Sequence, residues 1–209
     1  MQAVAEVGKS VAAQRDLDEL LARTTRIISD RFNYYHVGIF FLDQRGEYAI
    51  LRASNSSGGA KMLERGHKLR VSREGIVGTA AGTSEARIAL DVGEDAVFFD
   101  NPDLPETRSE VALPLQARDE IIGVLDVQST EAGAYDDEDV AMLRILAGQV
   151  AIAIENSRLF EQARKALDEV QSLHQQYIQQ EWTKVAASQQ GLAYEYRRSG
   201  TATQWEPWP

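Results

Sequence analysis

The chain has 209 residues, 44% of them hydrophobic, which suffices for one domain with a sizeable core plus extended helices. Thirty-two acidic against 22 basic residues give a formal charge of -10, a surface that repels nucleic-acid phosphates and anionic head groups, so neither nucleic acid nor direct membrane contact is expected. With no cysteine there is no disulfide, thiolate nucleophile, thiolate metal site or thioether-bound bilin, and with no signal pattern or spanning apolar run the expected location is cytoplasmic.

Val4, Val7 and Val11 predict a linker helix over residues 1–15. Asp16, three residues before Glu19, starts a second helix carrying Leu17, Leu20, Leu21, Thr24, Ile27 and Ile28 on one face. Tyr35–Leu42 is apolar on both alternating faces, as a covered central strand should be, and the turn residues Asp43–Glu47 lead into a second strand at Tyr48–Ala53. Asn55–Gly59 breaks the sheet. A helical turn at Ala60–Glu64, a strand at His67–Val71, a short helix at Ile76–Ala81 and a brief strand at Arg87–Leu90 follow.

A long polar loop, Asp91–Thr107, precedes two strands, Ser109–Ala117 and Ile121–Ser129, joined by a tight hairpin. The acidic run Asp136–Asp139 favours the positive end of a helix dipole and opens a helix reaching about residue 188. Along it Ile152, Asn156, Leu159, Ala163, Ala166, Val170, Leu173 and Tyr177 repeat at 3–4 spacing, a coiled-coil-like stripe that predicts pairing with a second copy, while Ile145–Ile154 covers the sheet. Residues 191–209 form an aromatic-rich tail with Tyr194, Tyr196, Trp205 and Trp208.

The segment SEVALPLQARDEIIGVLDVQS (109–129), approached through NPDLPETR and followed by GQVAIAIENSRLF, resembles the second half of a GAF domain. YHVGIFFLDQRGEYAILRAS and GIVGTAA extend the resemblance upstream in family order. It implies an α+β fold with a six-stranded antiparallel sheet over residues 16–163, terminal helices on one face, a small-molecule pocket under loops on the other, and a helical extension over 164–190. The phrasing is similar to GAF modules of bacterial multi-domain sensors such as sensor histidine kinases of two-component systems. On that basis the expected function is a sensory module that binds a small molecule or partner and relays its state through homodimerising helices to an output domain, with no enzymatic activity of its own. A ligand-free structural dimerisation and relay module is the alternative.

For the pocket, His36, Gly38 and Phe40 share one strand face if Tyr35, Val37, Ile39 and Phe41 face the helices, and His67 lies at the third strand. Each histidine is either a ligand contact or a satisfied core residue. Val97, Phe98 and Phe99 either lid the pocket or plug it, and Arg108 either holds an anionic ligand group or pairs with acids such as Glu106 and Glu110. The loop carboxylates fit no calcium-loop spacing, so no metal is expected, and the only cofactor expected is an unidentified non-covalent small molecule. GAF proteins that reduce free methionine sulfoxide offer an enzymatic reading. It requires a nucleophilic cysteine, which this chain lacks, and is set aside here for that reason.

Overall fold

The computed structural model describes residues 17–94 and 100–188. The chain divides into two compact units, Met1–Gln162 and Ala163–Pro209. In the first, helix α1 (Leu17–Phe32) precedes strands β1 (His36–Leu42) and β2 (Tyr48–Ser54), helix α2 (Ser57–Glu64), strand β3 (Lys68–Arg70), helix α3 (Gly75–Thr83) and strand β4 (Arg87–Ala89). Strands β5 (Ser109–Ala117) and β6 (Glu120–Ser129) then form a hairpin, and helix α4 runs Asp137–Ser188 across the unit boundary.

The six strands lie in the order β3-β2-β1-β6-β5-β4, and every pairing is antiparallel. This is the expected α+β architecture. The chain leaves β3 at one edge of the sheet and resumes at β4 on the other, so α3 must cross one face between them.

Strand alternation splits the core in two. Val37, Ile39 and Phe41 of β1 join Leu20, Leu21 and Ile28 of α1 and Leu143, Leu146, Val150 and Ile154 of α4 in one apolar layer. Phe40 of β1 instead joins Met62 of α2, Leu69 of β3 and Ile76, Val77 and Ala80 of α3 on the opposite face. Each fully buried Leu or Ile in these layers contributes about 1.5–3 kcal/mol. Tyr35 departs from the sequence expectation: it packs on the pocket-side layer, and Tyr34 takes the helix side, stacked near Phe32 and Tyr135. The regular alternation begins only at His36, where β1 starts.

Helix α2 is longer than the predicted turn. Ser56 caps it, its hydroxyl accepting from the Gly59 amide at 2.9 Å, so the sheet breaks after Ser54 as expected and Ser57–Gly59 form the helix's first turn. Helix α4 opens on a reciprocal cap in which Asp136 accepts from the Asp139 amide and Asp139 accepts from the Asp136 amide. An apolar window in α4 reaches mean hydropathy 1.2, so by length and composition α4 meets the threshold for a spanning helix that the sequence reading did not anticipate. Forty-four per cent of that window is buried within the structure.

In the second unit the described residues, 163–188, continue the helix. Of its large apolar side chains, Leu167, Val170, Leu173, Tyr177 and Trp182 are 59–69% exposed and Ile178 and Val185 41–42%.

Candidate functional site

The sheet face opposite α1 carries polar side chains in two adjacent rows. Cross-strand register sets Glu110 of β5, Gln128 of β6 and His36 of β1 side by side, and in the next row Ala112, Asp126 and Gly38. The small residues Ala112 and Gly38 flank Asp126, and a Cβ on Gly38 would sit 3.1 Å from the His36 ring nitrogen Nε2. Helices α2 and α3 and residues 100–107 roof this patch.

Between roof and sheet lies a cavity of about 20 Å³ whose polar wall is Asn101, Thr107, Glu110, Asp126, Gln128 and His67, and whose apolar wall includes Phe40, Met62, Leu69 and Ile76. Its volume matches a single water molecule. The roof is pinned: Arg65 of α2 pairs with Asp103 and reaches Asn101 Oδ1, while Asn101 Nδ2 points to the Met62 sulfur at 3.2 Å. A Cβ at Gly58 would lie 1.9 Å from the Asp103 carbonyl oxygen, so only glycine lets α2 approach residues 103–104 this closely.

A hydrogen-bond chain runs through the wall. The Thr107 hydroxyl donates to Gln128 Oε1 at 2.6 Å, and Gln128 Nε2 donates to Asp126 Oδ2 at 2.7 Å. Asp126 also hydrogen-bonds Glu110, and the two carboxyls are 1% and 5% exposed. Two hydrogen-bonded carboxyls removed from water share a proton, because both cannot ionise in so low a dielectric. Burial raises the Asp126 carboxyl to about 7, with the hydrogen bonds from Gln128 and Glu110 pulling the other way. The cavity is thus walled by a carboxylic acid that keeps its proton into the neutral range.

His36 is fully buried beside this pair. Its Nδ1 contacts the Ser56 hydroxyl at 2.7 Å, and its Nε2 stands 3.7 Å from Asp126 Oδ2. Burial lowers the imidazole to about 4, helped by His67, so His36 is neutral and the His36–Asp126 pair is uncharged. His67, at the cavity wall, is also lowered, first by burial and then by Arg65.

Of the predicted pocket residues, Phe40, His67 and Glu110 line the cavity, and His36 and Gly38 adjoin it. Val97, Phe98 and Phe99 lie outside the described residues. Arg108 does not belong to the site: it is exposed and pairs with Asp91 at 3.1 Å, an ion pair made to neither Glu106 nor Glu110. The pairing holds the Asp91 carboxyl below its ordinary range. Asp126, Gln128, Thr107, Asn101 and Met62 escape the sequence reading. One signal for Asp126 exists: a lone carboxylate within the apolar strand GVLDVQS must be buried, and a buried carboxylate demands partners. Among the described residues no cluster of three or more His, Asp or Glu side chains is arranged to hold a metal ion.

A protein-family profile for the GAF domain matches residues 14–155. The chain belongs to the GAF domain family. GAF domain-containing protein A of Dictyostelium discoideum is 29% identical over 119 residues, which span 57% of this chain and 69% of that protein. The free methionine-R-sulfoxide reductase of Escherichia coli K12 is 41% identical over 71 residues, 33% of this GAF chain and 43% of the reductase. Among solved structures, the free methionine-R-sulfoxide reductase of Neisseria meningitidis, in complex with its substrate, superposes with a TM-score of 0.64 at 23% identity, covering 75% of this chain and 89% of that one.

These similarities correct the functional expectation. Relatives of this GAF domain with a named activity include free methionine-R-sulfoxide reductases, which are GAF-fold enzymes, beside GAF domains of phosphoenolpyruvate-protein phosphotransferases and a protein described as a GAF sensor; a sensor histidine kinase is not among these. The expected non-enzymatic sensory module, with its ligand-free relay alternative, gives way to that finding. The absence of cysteine stands. The step from it to a domain without enzymatic chemistry does not.

Proposed function

We propose that this GAF domain takes free methionine sulfoxide, or an amino-acid sulfoxide of similar size, into the space between sheet and roof, and assists its reduction. The observation that carries the reading is the buried Asp126–Glu110 pair, which keeps a proton facing a small, mixed polar and apolar cavity. Reducing a sulfoxide consumes two electrons and two protons and releases water. A carboxylic acid hydrogen-bonded to the sulfoxide oxygen supplies a proton as the S–O bond breaks. Met62 and Phe40 offer apolar contact for a thioether-bearing side chain. The electrons come from an external dithiol, oxidised to its disulfide, because the chain has no thiol of its own. A cytoplasmic setting, which keeps thiols reduced, suits that requirement. A cavity of about 20 Å³ admits such a ligand only when the roof moves.

Binding and turnover are measured with the R and S sulfoxides of free methionine and with dithiothreitol as reductant. Ligand at a hundred times its Kd stabilises the fold by about 2.7 kcal/mol. For a protein of this length that raises the melting temperature by about 5–10 °C. Asp126→Asn keeps the shape, removes the acid and reduces turnover by about a hundredfold. Absence of both a thermal shift and turnover with either epimer refutes the reading.

We also propose that the chain pairs with a second copy through α4. The support is the stripe of 3–4 spacing together with the exposure of Ile152, Leu159, Val170, Leu173 and Tyr177, which a lone chain leaves in water.

A further inference from the structure

The Asp126–Glu110 pair is buried, at 1% and 5% exposure, and an acid that gives up its proton must regain one. His36 lies between Asp126 and Ser56, and its exposure is 0%. Ser56 is half-buried at the N-terminus of α2 and adjoins exposed Ser57.

We propose that Ser56, His36 and Asp126 form a proton path from the surface to the carboxyl pair in the cavity wall. The tautomer of His36 sets its direction. The Ser56 oxygen accepts from the Gly59 amide at 2.9 Å, and along the path its hydroxyl proton is assigned to His36 Nδ1 at 2.7 Å, with the Ser54 hydroxyl also 3.4 Å from Nδ1. Nδ1 is then the acceptor of the neutral ring, and the ring proton sits on Nε2. Nε2 has no hydrogen-bond partner, nor has Asp126 Oδ1, and the 3.7 Å from Nε2 to Asp126 Oδ2 is the nearest approach between the two side chains given by the structure. That distance exceeds an N–H···O bond by about 0.7 Å, a gap that a small turn of the carboxyl closes.

The transfer moves protons alone. Nδ1 gains a proton from Ser56, which is refilled from water, and Nε2 gives its proton to the Asp126 carboxylate. One proton crosses per passage and the ring ends as the other tautomer, restored by a ring flip or by a return passage. Glycines clear the ring's edge: a Cβ on Gly38 would lie 3.1 Å from Nε2, and one on Gly59 would lie 3.1 Å from Cε1. The charged and titratable groups around the path include Glu110 and His67 and, from the other side of the sheet, Tyr135, which interacts electrostatically with both Asp126 and Glu110.

The inference gives the proposed reductase its proton supply and rests on that reading for its purpose, but its test needs no substrate. The carbonyl stretch of the buried carboxylic acid is followed by time-resolved infrared spectroscopy of the whole chain after mixing into D2O. Asp126→Asn identifies the band by removing it. His36→Gln keeps a polar contact with Ser56 but cannot take a proton at one atom and release one from another as the imidazole does. Ser56→Gly interrupts the path at the surface, and glycine remains a good helix N-cap.

The expected result is a band retained in both variants whose deuterium shift is slowed about tenfold or more, because exchange then waits on local opening of the fold. Exchange at the wild-type rate in His36→Gln or in Ser56→Gly overturns the path, as does a wild-type spectrum with no band that Asp126→Asn abolishes. Failure of the sulfoxide assay alone leaves these exchange rates as they are, so the two proposals fail separately.

Discussion

At the scale of single residues, His36 and Asp126 impose opposite pH dependences on the fold. Asp126 holds its proton up to about 7 in the folded chain and to about 3.8 when unfolded, so its contribution is fully present below the unfolded value and is lost as pH rises through 7. His36 is neutral down to about 4 when folded but titrates near 6.5 when unfolded. Its contribution is present above 6.5 and is lost as pH falls through 4. Between pH 4 and 6.5 the folded state holds one proton more at Asp126 and one fewer at His36, and the two slopes cancel. Denaturant unfolding of the wild type is therefore flat over this window with respect to the pair. Asp126→Asn leaves a stability that rises with pH, and His36→Gln one that falls, each by up to about 1.4 kcal/mol per pH unit. Parallel pH profiles for the two variants contradict the assignment. The sequence shows only half of this arrangement. The face His36–Gly38–Phe40 follows from alternation along one strand, whereas Asp126 enters through the register of β6 against β1, which no single strand records.

At the scale of elements, the strands and helix α3 were legible, and the first turn of α2 was not. β1, β2, β5 and β6 announce themselves by apolar runs between turn residues, and α4 by its acidic start. The start of α2, Ser57–Gly59, was hidden because Ser-Ser-Gly-Gly has poor helix propensity, about 1 kcal/mol per glycine relative to alanine. Tertiary contact overrides that propensity. Gly58 abuts the backbone of Asp103, and Gly59 abuts Ser54 and the His36 ring. Gly58→Ala is accordingly a test in which two effects oppose one another. Propensity favours alanine by about 1 kcal/mol, while a Cβ at 1.9 Å from a carbonyl oxygen forces α2 or residues 103–104 to move, at about 1–3 kcal/mol. The backbone is the less yielding partner, so the expected outcome is net destabilisation in urea unfolding. A gain in stability would show that the roof yields freely. Asp103 cannot withdraw without loosening its ion pair with Arg65, so the same variant also tests whether the roof is held as one piece.

At the scale of the whole molecule, the chain's apolar surface and its charge pull in opposite directions. A formal charge of -10 disfavours association, yet α4 leaves Ile145, Ile152, Leu159, Phe160, Leu167, Val170, Leu173, Tyr177 and Trp182 between 42% and 69% exposed. The sequence stripe named five of these, Ile152, Leu159, Val170, Leu173 and Tyr177. Phe160, Leu167 and Trp182 widen it, because a strict 3–4 repeat counts only the seam and not its flanks. Debye screening at physiological salt confines repulsion between surface charges to about 8 Å, whereas apolar burial is insensitive to it. Self-association through α4 is therefore expected to persist at low salt and to strengthen slightly as salt rises. Sedimentation equilibrium of the chain checks this, with Val170→Glu/Leu173→Glu as the decisive variant: both side chains are exposed in the isolated chain, at 63% and 59%, so the substitutions leave the folded core intact and act on pairing. Each buried Val or Leu is worth about 1.5–3 kcal/mol, and a dimer loses that contribution from both copies while gaining facing carboxylates. The variant should sediment as a monomer with an unchanged melting profile at high dilution. A wild-type monomer at all concentrations, or a variant that associates as the wild type does, would leave this apolar stripe without a second copy as its partner.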